Sequence, residues 1–185
     1  MAKAMSRRNL WTTLAAVAGL AFLIAMVVSG ALPQQRQLVK FEAKGVMKLE
    51  PDLVSRVELH QGERKAVLRR AASGEWVTEG GDALSAELTK KLALAVQFMN
   101  TAGPIRRIEP AELQGTNPRD FGFDLPRVSV VLYQGEQAVI GARFGAHNPE
   151  DTAQYMMVDG RQELILMSRF VGQEWESVAG GVLAK

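Results

Sequence analysis

An uncharged, mostly apolar stretch near the N-terminus constrains the structure of this chain more than any other feature. Leu10–Val28 comprises 19 residues and no charged side chain. A helix of this length spans roughly 28 Å at about 1.5 Å per residue, close to the roughly 30 Å of hydrocarbon in a bilayer. The stretch therefore predicts a transmembrane helix.

The charges on either side of this stretch predict its orientation. Three basic residues precede it closely, whereas Arg36 and Lys40 follow it at a greater distance. The positive-inside rule then places the N-terminus in the cytoplasm, the helix in a bacterial inner membrane and the rest of the chain in the periplasm. The three preceding residues are Lys3, Arg7 and Arg8.

A cleaved signal peptide is the alternative, because Ser29-Gly30-Ala31 offers small residues to a signal peptidase. The apolar run exceeds the roughly 7–15 residues of a signal-peptide core, which favours an uncleaved signal-anchor. The chain has no cysteine, which excludes an acylated lipoprotein, disulfide bonds and thiolate metal sites. The predicted organisation is a cytoplasmic tail at 1–9, a transmembrane anchor at 10–32, a tether at 33–47 and a periplasmic α+β domain at 48–185.

Charge outside the predicted tail is almost balanced, with 19 basic and 20 acidic residues. Proteins that bind nucleic acid carry a marked positive excess on their binding surface. Nucleic acid is therefore not a predicted partner. The predicted partners are the membrane bilayer and other subunits of an envelope or inner-membrane complex.

Alternating apolar and polar residues predict a three-stranded meander at the start of the periplasmic domain. Val57 and Leu59 alternate with polar neighbours, which is typical of a half-buried strand. Glycine-containing turns follow, and the chain returns as strands at 65–70 and 75–78.

The next segment predicts an amphipathic helix that begins at Asp82 as N-cap and runs to about Asn100. Its apolar residues recur at spacings of three and four, as on one face of a helix. Gly103-Pro104 ends it, and a short strand at 105–108 is predicted next. The apolar stripe is Leu84, Leu88, Leu92, Val96 and Met99.

The last third predicts two further hairpins and a closing helix. A loop at 145–151 separates the hairpins, the Asp159-Gly160 pair turns the second, and the helix begins near Ser168 and ends at Gly180-Gly181. The predicted fold class is therefore α+β: a transmembrane helix followed by an antiparallel β-meander and hairpin domain with one central and one C-terminal amphipathic helix. The four predicted strands are 128–133, 138–144, 154–158 and 163–167.

A short motif precedes the first of these strands. Phe121-Gly122-Phe123-Asp124-Leu125-Pro126 resembles the tyrosine-glycine-leucine-aspartate-x-proline signature of an uncharacterised bacterial envelope domain family (a DUF family). The family's domain also occurs in the auxiliary component of gliding-motility ABC transporters. The resemblance covers roughly residues 45–170 and departs from the signature at Phe121 and Phe123.

This resemblance implies an envelope domain without an established enzymatic activity, and it carries over no catalytic residue. The motif is expected to have a structural role. Gly122 is expected where a side chain would clash or φ is unusual, Asp124 to satisfy local amides, and Pro126 to fix the start of the following strand.

No residue pattern predicts catalysis, a cofactor or a metal ion. His60 lies on the polar face of a predicted strand, where exposure is the ordinary outcome. His147 precedes Glu150 and Asp151 in a predicted loop, an arrangement that metal or acid–base sites use. Catalytic zinc needs three protein ligands, however, and no second histidine accompanies His147, so turn chemistry is the favoured interpretation.

Adjacent methionines suggest a surface for a partner. Met156 and Met157 must point to opposite faces of their strand, so one of them should face outward. Together with Tyr155 and Trp76, such a side chain would form a docking patch, core packing being the alternative.

The predicted function is a non-catalytic, membrane-anchored periplasmic accessory or scaffold subunit of a membrane protein complex, with an ABC transporter as one candidate. The alternative is a periplasmic peptide- or ligand-binding module that adds a strand to an open sheet edge. An enzyme is the least favoured class.

Overall fold

The computed structural model describes residues 7–27 and 43–184. The chain divides into two units, Met1–Glu42 and Ala43–Lys185. In the first, helix α1 spans Arg7–Met26, and every described side chain from position 11 to 27 is exposed. The start of the predicted cytoplasmic tail, the end of the predicted anchor and most of the predicted tether lie outside the described residues.

Within the two described ranges, no helix is both long enough and apolar enough to cross a membrane. The predicted transmembrane anchor is therefore wrong, and so are the fold class, the single-pass signal-anchor topology and the inner-membrane and periplasmic localisation that depend on it. The prediction equated uncharged with apolar. Helix α1 opens on Arg7-Arg8-Asn9 and contains Thr12 and Thr13, so its uninterrupted part without polar side chains is Leu14–Met26, 13 residues or about 20 Å.

The second unit is built on one eight-stranded sheet in which all neighbouring strands are antiparallel. The strand order is β3-β2-β1-β5-β6-β7-β8-β4. The strands are β1 Arg56–Gln61, β2 Arg64–Arg70, β3 Trp76–Thr78, β4 Arg106–Ile108, β5 Val128–Gln134, β6 Gln137–His147, β7 Ala153–Val158 and β8 Leu164–Ser168.

Two helices cover one face of this sheet. Helix α2 spans Ala86–Thr101 and α3 spans Arg169–Leu183, and the two pack against each other. Their apolar stripes meet the inward-facing residues of the strands in a single core, as the alternation along each strand requires. The opposite face of the sheet is called the outer face below. Fully buried core side chains include Leu59, Leu132, Phe144, Met156, Ile165, Leu92, Met99 and Trp175.

The predicted meander, central helix, hairpins and C-terminal helix are confirmed as secondary-structure elements, but several boundaries differ. The N-cap of α2 is Ser85, whose Oγ accepts a hydrogen bond from the Leu88 amide at 3.2 Å. Asp82 does not cap the helix, because its carbonyl accepts from the Thr78 amide and keeps the chain extended beside β3. Helix α3 continues through Gly180-Gly181, and the predicted loop at 145–151 begins only after β6 ends at His147.

Candidate functional site

The motif predicted to be structural forms a tight turn against β6. A one-turn 3₁₀ helix at Pro118–Phe121 is capped at its start by Asn117. Gly122 ends it with φ of +75°, and a side chain there would place Cβ 2.6 Å from the Ala146 nitrogen. Both conditions expected for Gly122 are therefore met, because L-residues rarely adopt this φ and the space is already occupied.

The rest of the motif is only partly as expected. Phe121 packs edge-to-face on Tyr155 with ring centroids 4.9 Å apart, and Phe123 is buried. Asp124 is exposed and forms no hydrogen bond in the described structure, so its expected role with local amides is wrong. Leu125 is 71% exposed. Pro126 lies two residues before β5, and the Arg127 amide between them donates to the Phe144 carbonyl.

The four residues predicted to form a docking patch do not come together. Trp76 lies on the edge strand β3, is 4% exposed and has the Arg70 guanidinium 5.1 Å from its ring centre. Met156 is fully buried in the core. Met156 cannot contact a partner without unfolding, and Trp76 exposes only 4% of its surface beside a separate cavity, so the predicted four-residue patch does not form.

Tyr155 and Met157 instead point to the outer face and are half-buried. Tyr155 supports Phe121, and Met157 lines a pocket of about 140 Å³ together with Phe121 and Phe123. The motif and the outward-facing residues of β7 therefore form one surface, which is called the motif pocket below.

A polar cluster lies on the opposite face of the sheet, between β6, β7 and α3. Glu176 of α3 accepts two hydrogen bonds from Arg127, at 2.7 and 2.9 Å, and a third from Gln154 Nε2 at 3.0 Å. His147 Nε2 lies 3.9 Å from Glu176 Oε1, and His147 Nδ1 lies 2.8 Å from an Asp151 carboxylate oxygen. Bidentate guanidinium–carboxylate pairing of this kind fixes the geometry of both partners.

Gln154 is the buried centre of this cluster. It is fully buried, and its Nε2 also donates to the Gly145 carbonyl at 3.0 Å. Its Oε1 has no hydrogen-bond partner in the described part of the chain and lies against the backbone of Gly172. The unsatisfied Oε1 of a buried amide costs free energy, so the fold depends on the two hydrogen bonds that Nε2 makes.

The environment of Glu176 shifts its ionisation in two directions. Burial raises its pKa, but hydrogen bonds from Arg127 and Gln154 and the charges of Arg127 and His147 outweigh burial, so the pKa lies below the ordinary value of 4.5. The same pairing raises the pKa of Arg127. Both groups are therefore charged at neutral pH and stabilise each other.

This geometry favours a structural role for the polar cluster. Glu176 is occupied by Arg127 and Gln154, and Asp151 is paired with both His147 and Arg169. Across residues 7–27 and 43–184, no group of three or more histidine or carboxylate side chains is arranged to hold a metal ion. The predicted turn chemistry at His147 fits these contacts, since Asn148 Oδ1 accepts from the Thr152 and Ala153 amides.

The two edges of the sheet test whether a peptide could add a strand there, as the alternative function requires. The outer edge of β3 is already paired, because the Leu84 amide donates to the Trp76 carbonyl and the Asp82 carbonyl accepts from the Thr78 amide, each at 2.9 Å. At the other edge, β4 has three residues, and Arg106 and Arg107 are both in ion pairs. Short, charged edge strands resist pairing with another chain.

Sequence reasoning missed the residues that hold the polar cluster together. Arg127 and Glu176 are 49 positions apart, and Gln154 and Glu176 are 22 apart, so no local pattern links them. Comparison with known proteins found no matching family model, no matching curated protein and no matching solved structure.

Proposed function

We propose that this chain is a non-catalytic accessory subunit of a larger protein complex and that the apolar surface of α1 binds it to that complex. The single observation that carries this proposal is the distribution of apolar side chains around α1. Successive residues of a helix are about 100° apart, so Leu14, Phe22, Leu23 and Ile24 point in four different directions. Each of them is more than half exposed.

An exposed helix that is apolar on all sides is unusual in a protein that works alone. Contiguous apolar surface of this kind normally marks a contact with another molecule. The other large exposed apolar residues of this segment are Trp11, Val17, Leu20, Met26 and Val27. A protein partner that covers them would gain about 25 cal/mol for each Å² of apolar surface removed from water.

The compact unit 43–184 supports the non-catalytic part of the proposal. In its polar cluster the carboxylates of Glu176 and Asp151 are both paired with basic side chains. The resemblance of Phe121–Pro126 to a family that includes an auxiliary component of gliding-motility ABC transporters makes a transporter assembly the first partner to test.

The test is affinity purification of the full chain in mild detergent, followed by mass spectrometry and size-exclusion chromatography. The wild-type chain is expected to recover partners in fixed stoichiometry. The double substitution Leu20→Lys and Ile24→Lys is expected to release them, because two charges would be buried in an apolar contact. The matched control is Gln137→Lys with Gln173→Lys, which adds the same charge at exposed sites of the compact unit.

Two results would contradict the proposal. One is a wild-type chain that elutes alone and monodisperse. The other is an α1 double variant that keeps the same partners in the same stoichiometry, since the contact would then lie elsewhere.

A further inference from the structure

The walls of the motif pocket come from three separate parts of the compact unit. Met157 and Leu164 contribute side chains from the outer faces of β7 and β8, where the two residues are paired across the strands. Phe121 and Phe123 cover them from the motif. Leu113 closes one side from the turn at 110–116.

Most of this wall is fixed before anything binds. Phe121 is held by Tyr155, and Phe123 packs so closely on Gly145 that a side chain there would have Phe123 Cε1 at 3.1 Å. The turn that carries Leu113 is closed by hydrogen bonds from the Leu113 amide to the Pro110 carbonyl at 3.2 Å and from the Thr116 amide to the Leu113 carbonyl at 3.0 Å. Preformed, mainly apolar concavities with few polar groups are the usual form of small-molecule sites.

The size and the polarity of the pocket define what it can hold. Its volume of about 140 Å³ would accommodate a group of about the size of a benzene ring, and the pocket is open to solvent on one side. None of the described residues that line it is charged. A charged ligand would lose its hydration there without gaining a partner.

Two polar side chains line the pocket. The Thr116 hydroxyl already donates to the Leu113 carbonyl at 2.8 Å. Gln162 lies in the turn between β7 and β8, is exposed, and its side-chain amide makes no hydrogen bond within the described chain. Gln162 therefore supplies the free side-chain donor of the pocket, and acceptors remain on Gln162 and on the Thr116 oxygen, whose bond to Leu113 uses only its hydrogen.

We propose that the motif pocket binds a small, uncharged aromatic molecule of about the size of a single benzene ring, with one hydrogen-bonding substituent directed at Gln162. This site is independent of the contact proposed for α1, so either proposal can fail without the other. The probes are phenol, toluene and benzoate, which share a six-membered ring and differ in the polarity and charge of the substituent.

The readout is the methyl signals of methionine in the full chain, labelled with carbon-13. Met157 lines the pocket, whereas Met156 lies in the core on the opposite face, so adjacent residues serve as site and internal control. Phenol is expected to shift the Met157 signal saturably, toluene more weakly, and benzoate not at all. The Met157 signal is assigned from the spectrum of Met157→Leu.

Two variants locate the binding. Gln162→Leu is expected to weaken the binding of phenol about two- to tenfold, as the loss of one hydrogen bond predicts, and to leave the binding of toluene unchanged. Thr116→Phe is expected to fill the pocket and abolish the Met157 shift for both probes. Gln137→Leu, which also replaces an exposed glutamine, on β6, should change the binding of neither probe.

Four outcomes would overturn the proposal. They are no saturable Met157 shift with phenol or toluene, equal shifts at Met156 and Met157, binding of benzoate as strong as that of phenol, and an unchanged response in the folded Thr116→Phe variant.

Discussion

The contact between Gly172 of α3 and Gln154 of β7 gives the sharpest test of the fold. A methyl group at position 172 would overlap Gln154 Oε1 and lie 2.7 Å from its Cδ and 3.0 Å from Phe144 Cδ1. Gln154 is fully buried and held by bonds to the Gly145 carbonyl and to Glu176. Gly172→Ala must therefore displace the amide and break both bonds.

The magnitude follows from those two hydrogen bonds. The bond to the Gly145 carbonyl contributes about 1 kcal/mol and the bond to the Glu176 carboxylate about 1.5–3 kcal/mol. Alanine in place of glycine within a helix returns about 1 kcal/mol. We therefore expect Gly172→Ala to lower the free energy of unfolding by about 1.5–3 kcal/mol.

Urea unfolding of the compact unit, followed by the fluorescence of the buried Trp76 and Trp175, measures this change. Gly180→Ala is the matched control, since Gly180 lies in the same helix with no atom within 4 Å of an added Cβ. It should stabilise the protein by roughly 0.5–1 kcal/mol.

A double-mutant cycle separates the overlap from any general intolerance of position 172. In the Gln154→Ala background the overlapping amide is gone and only the 3.0 Å contact with Phe144 Cδ1 remains, so Gly172→Ala should cost much less than in the wild-type chain. An equal loss in both backgrounds, or a stabilising Gly172→Ala in the otherwise wild-type chain, would refute the reasoning.

Three further predictions concern single positions. The pKa of Glu176 is lowered in the folded state, so the ionised carboxylate stabilises the fold above its unfolded pKa, and this effect is lost as pH falls through the folded pKa. The free energy of unfolding, measured between pH 5 and 3, should therefore decrease below about pH 4.5. The decrease should be less steep in Glu176→Gln. Ser85→Ala should lower the free energy of unfolding by about 1 kcal/mol in urea titrations, whereas an equal loss from Asp82→Ala would contradict the assigned cap. Gly122→Ala should lower the melting temperature markedly more than Gly115→Ala. Both glycines have positive φ, but only a Cβ at position 122 would also meet a neighbouring backbone. Equal decreases in melting temperature would argue against that packing.

Local sequence patterns predicted most of the strands and helices of the compact unit, because alternation and helical spacing follow from which side of an element faces the core. Val57 and Leu59 are buried as their alternation indicates, and Leu92 and Met99 of α2 are buried as their spacing indicates. These patterns missed buried segments that have no helical or strand periodicity. The Met47 amide bonds the Met99 carbonyl at 2.8 Å, which places residues assigned to the tether in the core.

The candidate sites were harder to predict than the secondary structure. The motif Phe121–Pro126 was recognisable, but the pocket that it forms depends on Met157 and Leu164, which only the sheet register brings beneath it. Gln154 occupies an inward position where alternation predicts an apolar side chain. Its distant partner Glu176, not its neighbours in sequence, makes that position tolerable.

Gly145 connects the two sites on opposite faces of the sheet. The pairing of β6 with β7 shifts register between Phe144 and His147, so Gly145 sits where the strand is irregular. A side chain at 145 would overlap the Phe121 carbonyl on the outer face, while the Gly145 carbonyl accepts the bond from Gln154. The motif pocket and the polar cluster are therefore supported by one backbone segment.

Substitution at this residue should consequently affect both sites. Gly145→Ala forces the motif away from β6 and is expected to lower the free energy of unfolding by about 1–3 kcal/mol, as overpacking usually does. In the folded fraction it should also weaken the binding of phenol at Met157. This loss of binding is expected because a closely packed interior transmits a displacement of its backbone to the side chains that rest on it. Gly172→Ala removes the bond to the Gly145 carbonyl but places no atom against the motif, so its phenol response should stay closer to wild type than that of Gly145→Ala. Equal binding of phenol by Gly145→Ala and wild type would show that the pocket wall does not depend on this contact.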